Sequence, residues 1–358
     1  MKILDYCLDN RPQTDTFVPR KSILPEEANI NLYGVRGSGK TAIVLDSIEA
    51  LKNESTLYID MKHPHFLFHL IESVDLQKYI IDKKITLLVL DHYKEDLLPC
   101  FPKVESMIVI TRIPLVTSAF VSMELFPLDY EEFLAFESSS SLNKGFNHFL
   151  RSGTLPAIAP QQSNTAQHLQ RFFYSYFDTQ EQKLLLLLAE HHGKHLTTNQ
   201  IYLFAKEKFK ISKDWLYKTM TRFTQEKLLH FIEDKHQKSG KKMLLFDFAF
   251  AKYLSLGQPF GVQFDSMIAL TLIKHGIPIQ TLGIHGYLSQ ENELIIPSSF
   301  ESEESLWVKS QKKFSLYKQY DIKKVTIVTI SNHYEFDIEK IHFEALPFDE
   351  WSVSHSEI

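Results

Sequence analysis

Apolar residues along this chain fall into three successive patterns. Up to residue 111 they come in short unbroken runs: NINLY at 29–33, TLYID at 56–60, ITLLVLD at 85–91 and SMIVIT at 106–111. Strands of that kind have both faces covered, as in the middle of a parallel sheet. Between the first two lies AIVLDSIEALKN, whose spacing suits a helix. From residue 178 the spacing turns helical. DTQEQKLLLLLAEHH carries leucines at helical intervals, Thr197 and Thr198 can cap a second helix, and a third starts near Ser212 with Asp214 in its first turn and Trp215, Leu216, Met220 and Phe223 along it. LLHFIED and KKMLLFDF then read as two strands joined by a basic turn. Helix, turn, helix and hairpin together make a winged helix. After Pro259, a helix-compatible FDSMIALTLIKHG precedes the mixed pattern of IPIQTLGIHGYLS, NELIIPS, ESLWVKSQKK and KKVTIVTISN, which suits a small α/β domain. ESSSSLNKG at 137–145 and APQQSNTAQ at 159–167 are turn or linker signals.

Composition narrows the classes. A chain of 358 residues, 44% hydrophobic and 23% charged, has room for two or three domains and does not read as disordered. Its net charge of −5 argues against a uniformly basic nucleic-acid coat, yet residues 194–243 hold twelve Lys or Arg against five Asp or Glu, a local +7. Two cysteines, Cys7 and Cys100, make neither a disulfide framework nor a four-cysteine zinc site, so a reducing cytoplasm is the expected setting. The amino-terminal apolar stretch is broken by charges and reads as no signal peptide. The most apolar windows fall short of the ~20 residues that span a bilayer, so no membrane insertion is expected.

The candidate chemistry centres on GVRGSGKT at 34–41, between a strand-like and a helix-like segment. Strand, glycine-rich turn and helix are the context of a phosphate-binding loop, and Gly34-x4-Gly39-Lys40-Thr41 has its spacing. The glycines let backbone N–H groups converge on phosphate oxygens, Lys40 reaches the outer phosphates, and Thr41 offers a hydroxyl to magnesium. The expected nucleotide contacts are therefore Gly34, Arg36, Gly37, Ser38, Gly39, Lys40, Thr41 and Ala42. Asp91 ends the third apolar run as a magnesium-shell residue or as an ordinary strand-end aspartate. His92 follows it and can orient a water or accept a proton, or it marks slow or lost hydrolysis. Glu95 is a possible substitute base, with a solvated loop role the blander reading. Ligands of an open parallel sheet lie beyond the carboxyl ends of its strands. Thr111 is therefore either a γ-phosphate or water contact or a plain strand end, and Arg112 a phosphate sensor or a surface ion pair. Asp60 reads as structural or as a residue near the nucleotide. His63 and His65, and the set His191, His192 and His195, read as loop histidines rather than metal ligands.

NLYGVRGSGKT, LLVLDHY, IVITR, MELFPLDYEEFLAF and FLRSGTLPAI, in this order, resemble the prokaryotic AAA-type ATPases that carry a winged helix and often an active or degenerate restriction-endonuclease-like carboxyl domain. The likeness runs well over residues 22–250 and weakly over the last hundred. It rests on Leu125, Pro127, Leu128, Tyr130, Glu131, Glu132 and Phe133, then Gly153, Leu155 and Pro156, as well as on the loop. The resemblance implies an ATPase core at 1–130, a helical lid at 131–170, a winged helix at 171–255 and an endonuclease-like α/β domain at 256–358. It also implies ATP and Mg2+ as cofactors, with Lys40, Asp91, His92 and Thr111 as catalytic candidates and Thr41 and Asp91 on the metal. His92 replaces the family's usual catalytic acid, and the segment before the leucine-proline element lacks the common glycine-arginine pair. Arg151 can complete a nucleotide pocket from the lid or a neighbouring subunit, or form a salt bridge.

Two partner readings follow. Lys213, Lys218 and Arg222 on the third helix, and Lys235, Lys238, Lys241 and Lys242 on the wing, suit duplex DNA. Winged helices also bind proteins, so a protein partner or a homo-oligomer remains open. Nuclease chemistry needs an acid, then an acid and a lysine on the next strand. NELII and LWVK are expected in those places, with Trp307 where the second acid belongs, which makes the domain an inactive remnant. Lys309, Lys312 and Lys313 then read as a phosphate-binding surface or as solvated lysines. The leading expectation is a slow, nucleotide-switched ATPase coupled to DNA or partner binding, and the alternative is a non-hydrolysing scaffold.

Overall fold

The apolar runs of the first part pair side by side and all in one direction. The computed structural model describes residues 2–13, 17–25, 29–51, 55–68, 71–137, 142–161, 163–236 and 239–354, which divide into two compact units, 1–127 and 128–358. The first unit opens with helix α1 (Lys2–Asp9) and continues with β1 (Ile30–Tyr33), α2 (Lys40–Leu51), β2 (Thr56–Asp60), α3 (Ser73–Lys83), β3 (Leu87–Asp91), β4 (Ser106–Ile110) and β5 (Val121–Glu124). The strands form one parallel sheet in the order β2-β3-β4-β1-β5. Alternate residues serve opposite cores. Leu87 and Val89 pack with Ile43, Val44 and Ile48 of α2, while Leu88 and Leu90 pack with Leu76, Tyr79 and Ile80 of α3 and Leu4 of α1. This double coverage is why the β3 run is apolar throughout. β4 lies between β1 and β3, so the glycine-rich loop and Asp91 lie at the ends of strands that are not neighbours.

The second unit begins with α4 (Tyr130–Phe136), α5 (Leu142–Ser152) and α6 (Thr165–Tyr176). α7 (Thr179–Glu190), β6 (His195–Leu196), α8 (Thr198–Lys208), α9 (Lys213–Gln225), β7 (Leu229–Ile232) and β8 (Lys241–Leu245) follow, with a small antiparallel sheet in the order β6-β8-β7. This helix–strand–helix–helix–hairpin order is that of a winged helix. Thr197 caps α8 through a capping box with Gln200, and the Ser212 hydroxyl accepts from Trp215 N to cap α9. The chain then runs through α10 (Phe248–Leu254) and α11 (Phe260–Lys274), and a six-stranded mixed sheet closes the unit. Its elements are β9 (Ile279–Thr281), β10 (Tyr287–Ser289), β11 (Glu293–Pro297), α12 (Glu303–Lys312), α13 (Phe314–Gln319), β12 (Lys324–Thr329), β13 (Tyr334–Ile338), β14 (Ile341–Pro347) and α14 (Phe348–Ser354). β9, β10 and β11 form an antiparallel meander, and β12 joins β11 in parallel through the α12–α13 crossover.

Two expectations change here. LWVK (306–309) lies in α12, not on a strand after Glu293. Ser302 caps that helix, Glu303 and Glu304 favour its first turn, and Leu306 and Ser310, four apart, are its buried residues. The strand beside β11 is β12, whose Thr326 donates to Glu293. The first helices of the segment 131–170, where the resemblance implies a lid, share a core with the rest of their unit: Tyr130, Phe133 and Phe149 pack with Phe248, Phe264, Phe348 and Trp351. Gly153 and Thr154 of the glycine-proline segment meet Asp247. The Asp247 carboxylate accepts from Thr154 N and Oγ1, each at 2.6 Å, and from Phe250 N at 2.6 Å, where it caps α10. Gly153 has φ 72°, and a Cβ there would lie 2.4 Å from the Asp247 carboxylate. Finally, His192 is no loop histidine: it is buried, and its Nδ1 accepts from Leu245 N at 3.0 Å.

Candidate nucleotide site and winged-helix surface

The segment from Gly34 to Gly39 joins β1 to α2, and Lys40, Thr41 and Ala42 open that helix. Gly34 crosses the end of β5 so closely that a Cβ would stand 2.4 Å from Leu125 O, and its φ of 145° is open to glycine. The loop is fixed from outside by a residue the sequence did not single out. Arg20 donates from Nη1 to Ser38 O and from Nη2 to Phe126 O, both at 2.9 Å. Lys40 Nζ donates to Gly34 O and Val35 O, each at 2.8 Å. Arg36 and Ser38 are buried within the loop.

Across the intervening strand, Asp91 meets the start of α2. Thr41 Oγ1 donates to Asp91 Oδ2 at 2.7 Å, and Tyr58 OH donates to the same oxygen at 2.7 Å. The other carboxylate oxygen accepts from His92 N at 2.7 Å. Tyr58 is buried, and burial followed by the Asp91 charge pushes its pKa well up, so the phenol stays a donor. His92 takes a left-handed backbone, φ 52°, and its Nδ1 lies 2.8 Å from Asp60 Oδ1 and 3.4 Å from Asp91 Oδ1. Burial works to raise the Asp60 pKa, but the hydrogen bonds from His92 and from Lys62 N, with both neighbouring charges, hold it below the ordinary carboxylate value. Lys62 has its pKa lowered by burial and then by Arg112, with Arg36 acting in the same sense against Asp60 and Asp91. Three cations and two carboxylates therefore share the carboxyl edge of this sheet.

Thr111 follows β4, between the loop strand and the Asp91 strand. It is held from both sides: Asn31 Nδ2 donates to Thr111 Oγ1 at 2.9 Å, and Thr111 Oγ1 donates to Ile113 O at 2.6 Å. Asn31, buried on β1, also donates to Val109 O and accepts from Leu115 N. Lys40, Thr41, Asp91 and His92 thus belong to one edge with Tyr58, Asp60 and Lys62, while Glu95 lies exposed in the following turn. Arg20, Asn31 and Tyr58 carry no local motif, and the scarcity of arginine, seven against 32 lysines, was the one cue to Arg20. The donor set suits a polyphosphate: an ammonium at the loop, a turn with glycine at 34, 37 and 39, and a hydroxyl and carboxylate of the oxygen type that magnesium takes.

On the winged helix, α9 buries Leu216, Thr219, Met220 and Phe223 and exposes Lys213, Tyr217, Lys218 and Thr221. Lys213 Nζ stands 5.5 Å from the Tyr217 ring centroid. The other basic candidates differ from one another. Arg222 Nη2 donates to the buried Glu181 at 2.7 Å, tying α9 to α7. Lys241 is exposed and pairs with Glu233 at 2.8 Å. Lys242 points inward, with Nζ 2.5 Å from Asp265 Oδ2 and 2.6 Å from Tyr287 OH. Lys238 lies outside the described residues.

The strand order and the element order together define an α/β core with a parallel sheet and a glycine-rich loop between β1 and α2, followed by a winged-helix-like region and a further α/β region. No protein-family model matches the chain, and no curated protein does. Among solved structures, the Orc1 protein of Aeropyrum pernix in complex with DNA is similar at 15% identity and a TM-score of 0.32, over 63% of this chain and 86% of that one. Drosophila ORC bound to AT-rich DNA and Cdc6 is similar at 13% identity and a TM-score of 0.20, over 63% of this chain and 85% of that one. At such scores neither likeness carries an argument, and the functional reading rests on the geometry above. No helix among the described residues is long and apolar enough to cross a membrane.

Proposed function

We propose that this chain is a magnesium-dependent ATP-binding protein, a slow ATPase whose nucleotide state is coupled to binding of duplex DNA or a protein partner. The observation that carries the reading is the 2.7 Å contact of Thr41 Oγ1 with Asp91 Oδ2 beside the glycine turn. A bound magnesium nucleotide would supply the ion's positive charge and a phosphoanhydride to be polarised. Lys40 would exchange its neutral carbonyl acceptors for charged phosphate oxygens, a stronger class of hydrogen bond. Thr41 and Asp91 would hold the metal, and Tyr58 would orient Asp91. With Nδ1 held by Asp60, His92 would present Nε2 to a water. Thr111, fixed by Asn31, would stand at the end of the strand between them.

A second reading has its own support. The residue after Asp91 is an imidazole engaged with Asp60, where the resemblance implies a carboxylate, so a nucleotide-dependent scaffold without turnover fits as well. In the carboxyl-terminal region Glu293 on β11 has Lys324 opposite it on β12, but β12 reads KVTIVT and supplies no second acid. We therefore read it as a remnant without nuclease chemistry. Titration with a fluorescent ATP analogue tests the shared part of both readings. Wild type should bind only with the phosphate loop intact, and Lys40→Ala should weaken binding at least ten-fold; equal affinity of the two proteins would sink both.

A further inference from the structure

The wing is bonded to the carboxyl-terminal sheet. Lys235 N donates to Thr281 O and Thr281 N to Glu233 O, both at 2.8 Å, so the hairpin lies along the free edge of β9. Asp234, buried, accepts from Thr281 Oγ1 at 2.8 Å and Gly283 N at 2.9 Å. The next wing residue, His236, reaches further over. Its ring lies 2.7 Å from Tyr320 OH at the end of α13, edge-on with centroids 5.0 Å apart. His285, in the β9–β10 turn, completes the junction: its pKa is depressed by burial and then by Lys313 and His236, so both charged neighbours acting on it are basic. Its Nδ1 is buried with no hydrogen-bond partner among the described residues. Lys313 is half-buried, and burial and the neighbouring Lys309 lower its pKa. Basic groups gathered in this way gain from an anion that bridges them.

The lysines continue along the chain. Residues 305–320 hold four lysines and no acid, and Lys312 beside Lys313 is exposed. Lys309 is engaged with Glu301. We propose that the wing and the α12–α13 junction form one surface for a nucleic-acid backbone, on which Lys312, Lys313, His285 and His236 take phosphates. This rests on the reading of the winged helix as a DNA binder and extends it to the domain that has lost the nuclease set. A backbone fits better than an acidic protein because the basic groups continue from the wing, the element that tracks phosphates in such domains.

The test is fluorescence anisotropy of the full-length protein on a labelled duplex across a salt series. Each phosphate contact contributes about 0.9 to the slope of log affinity against log salt. Lys312→Ala/Lys313→Ala should lower that slope by between about 1 and 2 and weaken every duplex sequence alike, with an unchanged melting temperature, and Lys312→Arg/Lys313→Arg should restore it. Lys218→Ala on α9 reports on the winged helix itself. Should wild type bind and Lys218→Ala weaken it while the double variant keeps the wild-type slope, the composite surface is wrong and the winged-helix reading stands. Failure of wild type to bind duplex at low salt overturns both. Unchanged duplex binding with lost binding of polyglutamate assigns the patch to an acidic protein and overturns the nucleic-acid proposal.

Discussion

Asp91 is the residue on which the candidate site turns, and its orientation depends on neighbours. Tyr58 OH and Thr41 Oγ1 both donate to Oδ2. If Asp91 holds magnesium, Tyr58→Phe leaves the ligand in place but removes its orienting bond. Loss of such a supporting bond costs about ten-fold in metal affinity, and magnesium titration of nucleotide binding would show it as a rightward shift; unchanged affinity would remove Tyr58 from the site. A second prediction concerns His192. Its folded pKa is depressed from 6.5 to about 3 by burial and then by Lys242, so the unfolded chain binds a proton that the folded chain refuses. The stability it protects is complete above about pH 6.5 and falls as pH drops through that window, by about 1.4 kcal/mol per unit. Urea unfolding at pH 7 and pH 5 should show a steeper loss for wild type than for His192→Asn, and parallel losses would refute this. At this scale the glycine turn, Lys40 and Thr41 were legible because their spacing is local, and Asp91 because it ends an unbroken apolar run. Arg20, Asn31 and Tyr58 were not, since their partners lie far along the chain or across the sheet and leave no period to read.

Elements were more legible than their contacts. The four apolar runs became β1 to β4 with ends within two residues of expectation, because a strand covered on both faces has no polar side to blur its limits. α8 and α9 began where Thr197 and Ser212 could cap them. ESLWVKSQKK misled because an apolar triplet fits a strand as well as a helix, and the Ser302 cap with its two following glutamates decides for the helix. The glycine-proline segment was noticed as a family likeness, whereas its physical role lies in Asp247, 93 residues from Thr154. Gly153→Ala forces a side chain onto that carboxylate at a left-handed φ, and should cost about 1–3 kcal/mol. The same substitution at Gly257, which also has positive φ but has nothing within 4 Å of its would-be Cβ, should cost less. Equal losses in chemical denaturation would show that the Asp247 contact adds nothing.

For the whole molecule, two compact units each contribute a candidate surface. In the second unit the winged helix and carboxyl-terminal sheet are joined by buried polar contacts rather than by a linker. Lys242, expected on DNA, instead holds Asp265 and Tyr287. Lys242→Met strands Asp265 without its cation and should destabilise the unit by about 3 kcal/mol, as breaking a buried pair does; a thermal shift no larger than that of Lys241→Met would contradict it. The local charge of residues 194–243 could be counted from sequence, but which lysines turn inward could not, since the partners of Lys242, Asp265 and Tyr287, lie beyond Pro259. The account as a whole stands on the phosphate loop. Its most direct test is magnesium-dependent ATP turnover by wild type, Lys40→Ala and His92→Ala, each with and without duplex DNA. The account predicts slow release of phosphate by wild type, raised by duplex and absent in Lys40→Ala. Turnover that persists unchanged in Lys40→Ala, or none above its background with or without duplex, would contradict the proposed ATPase.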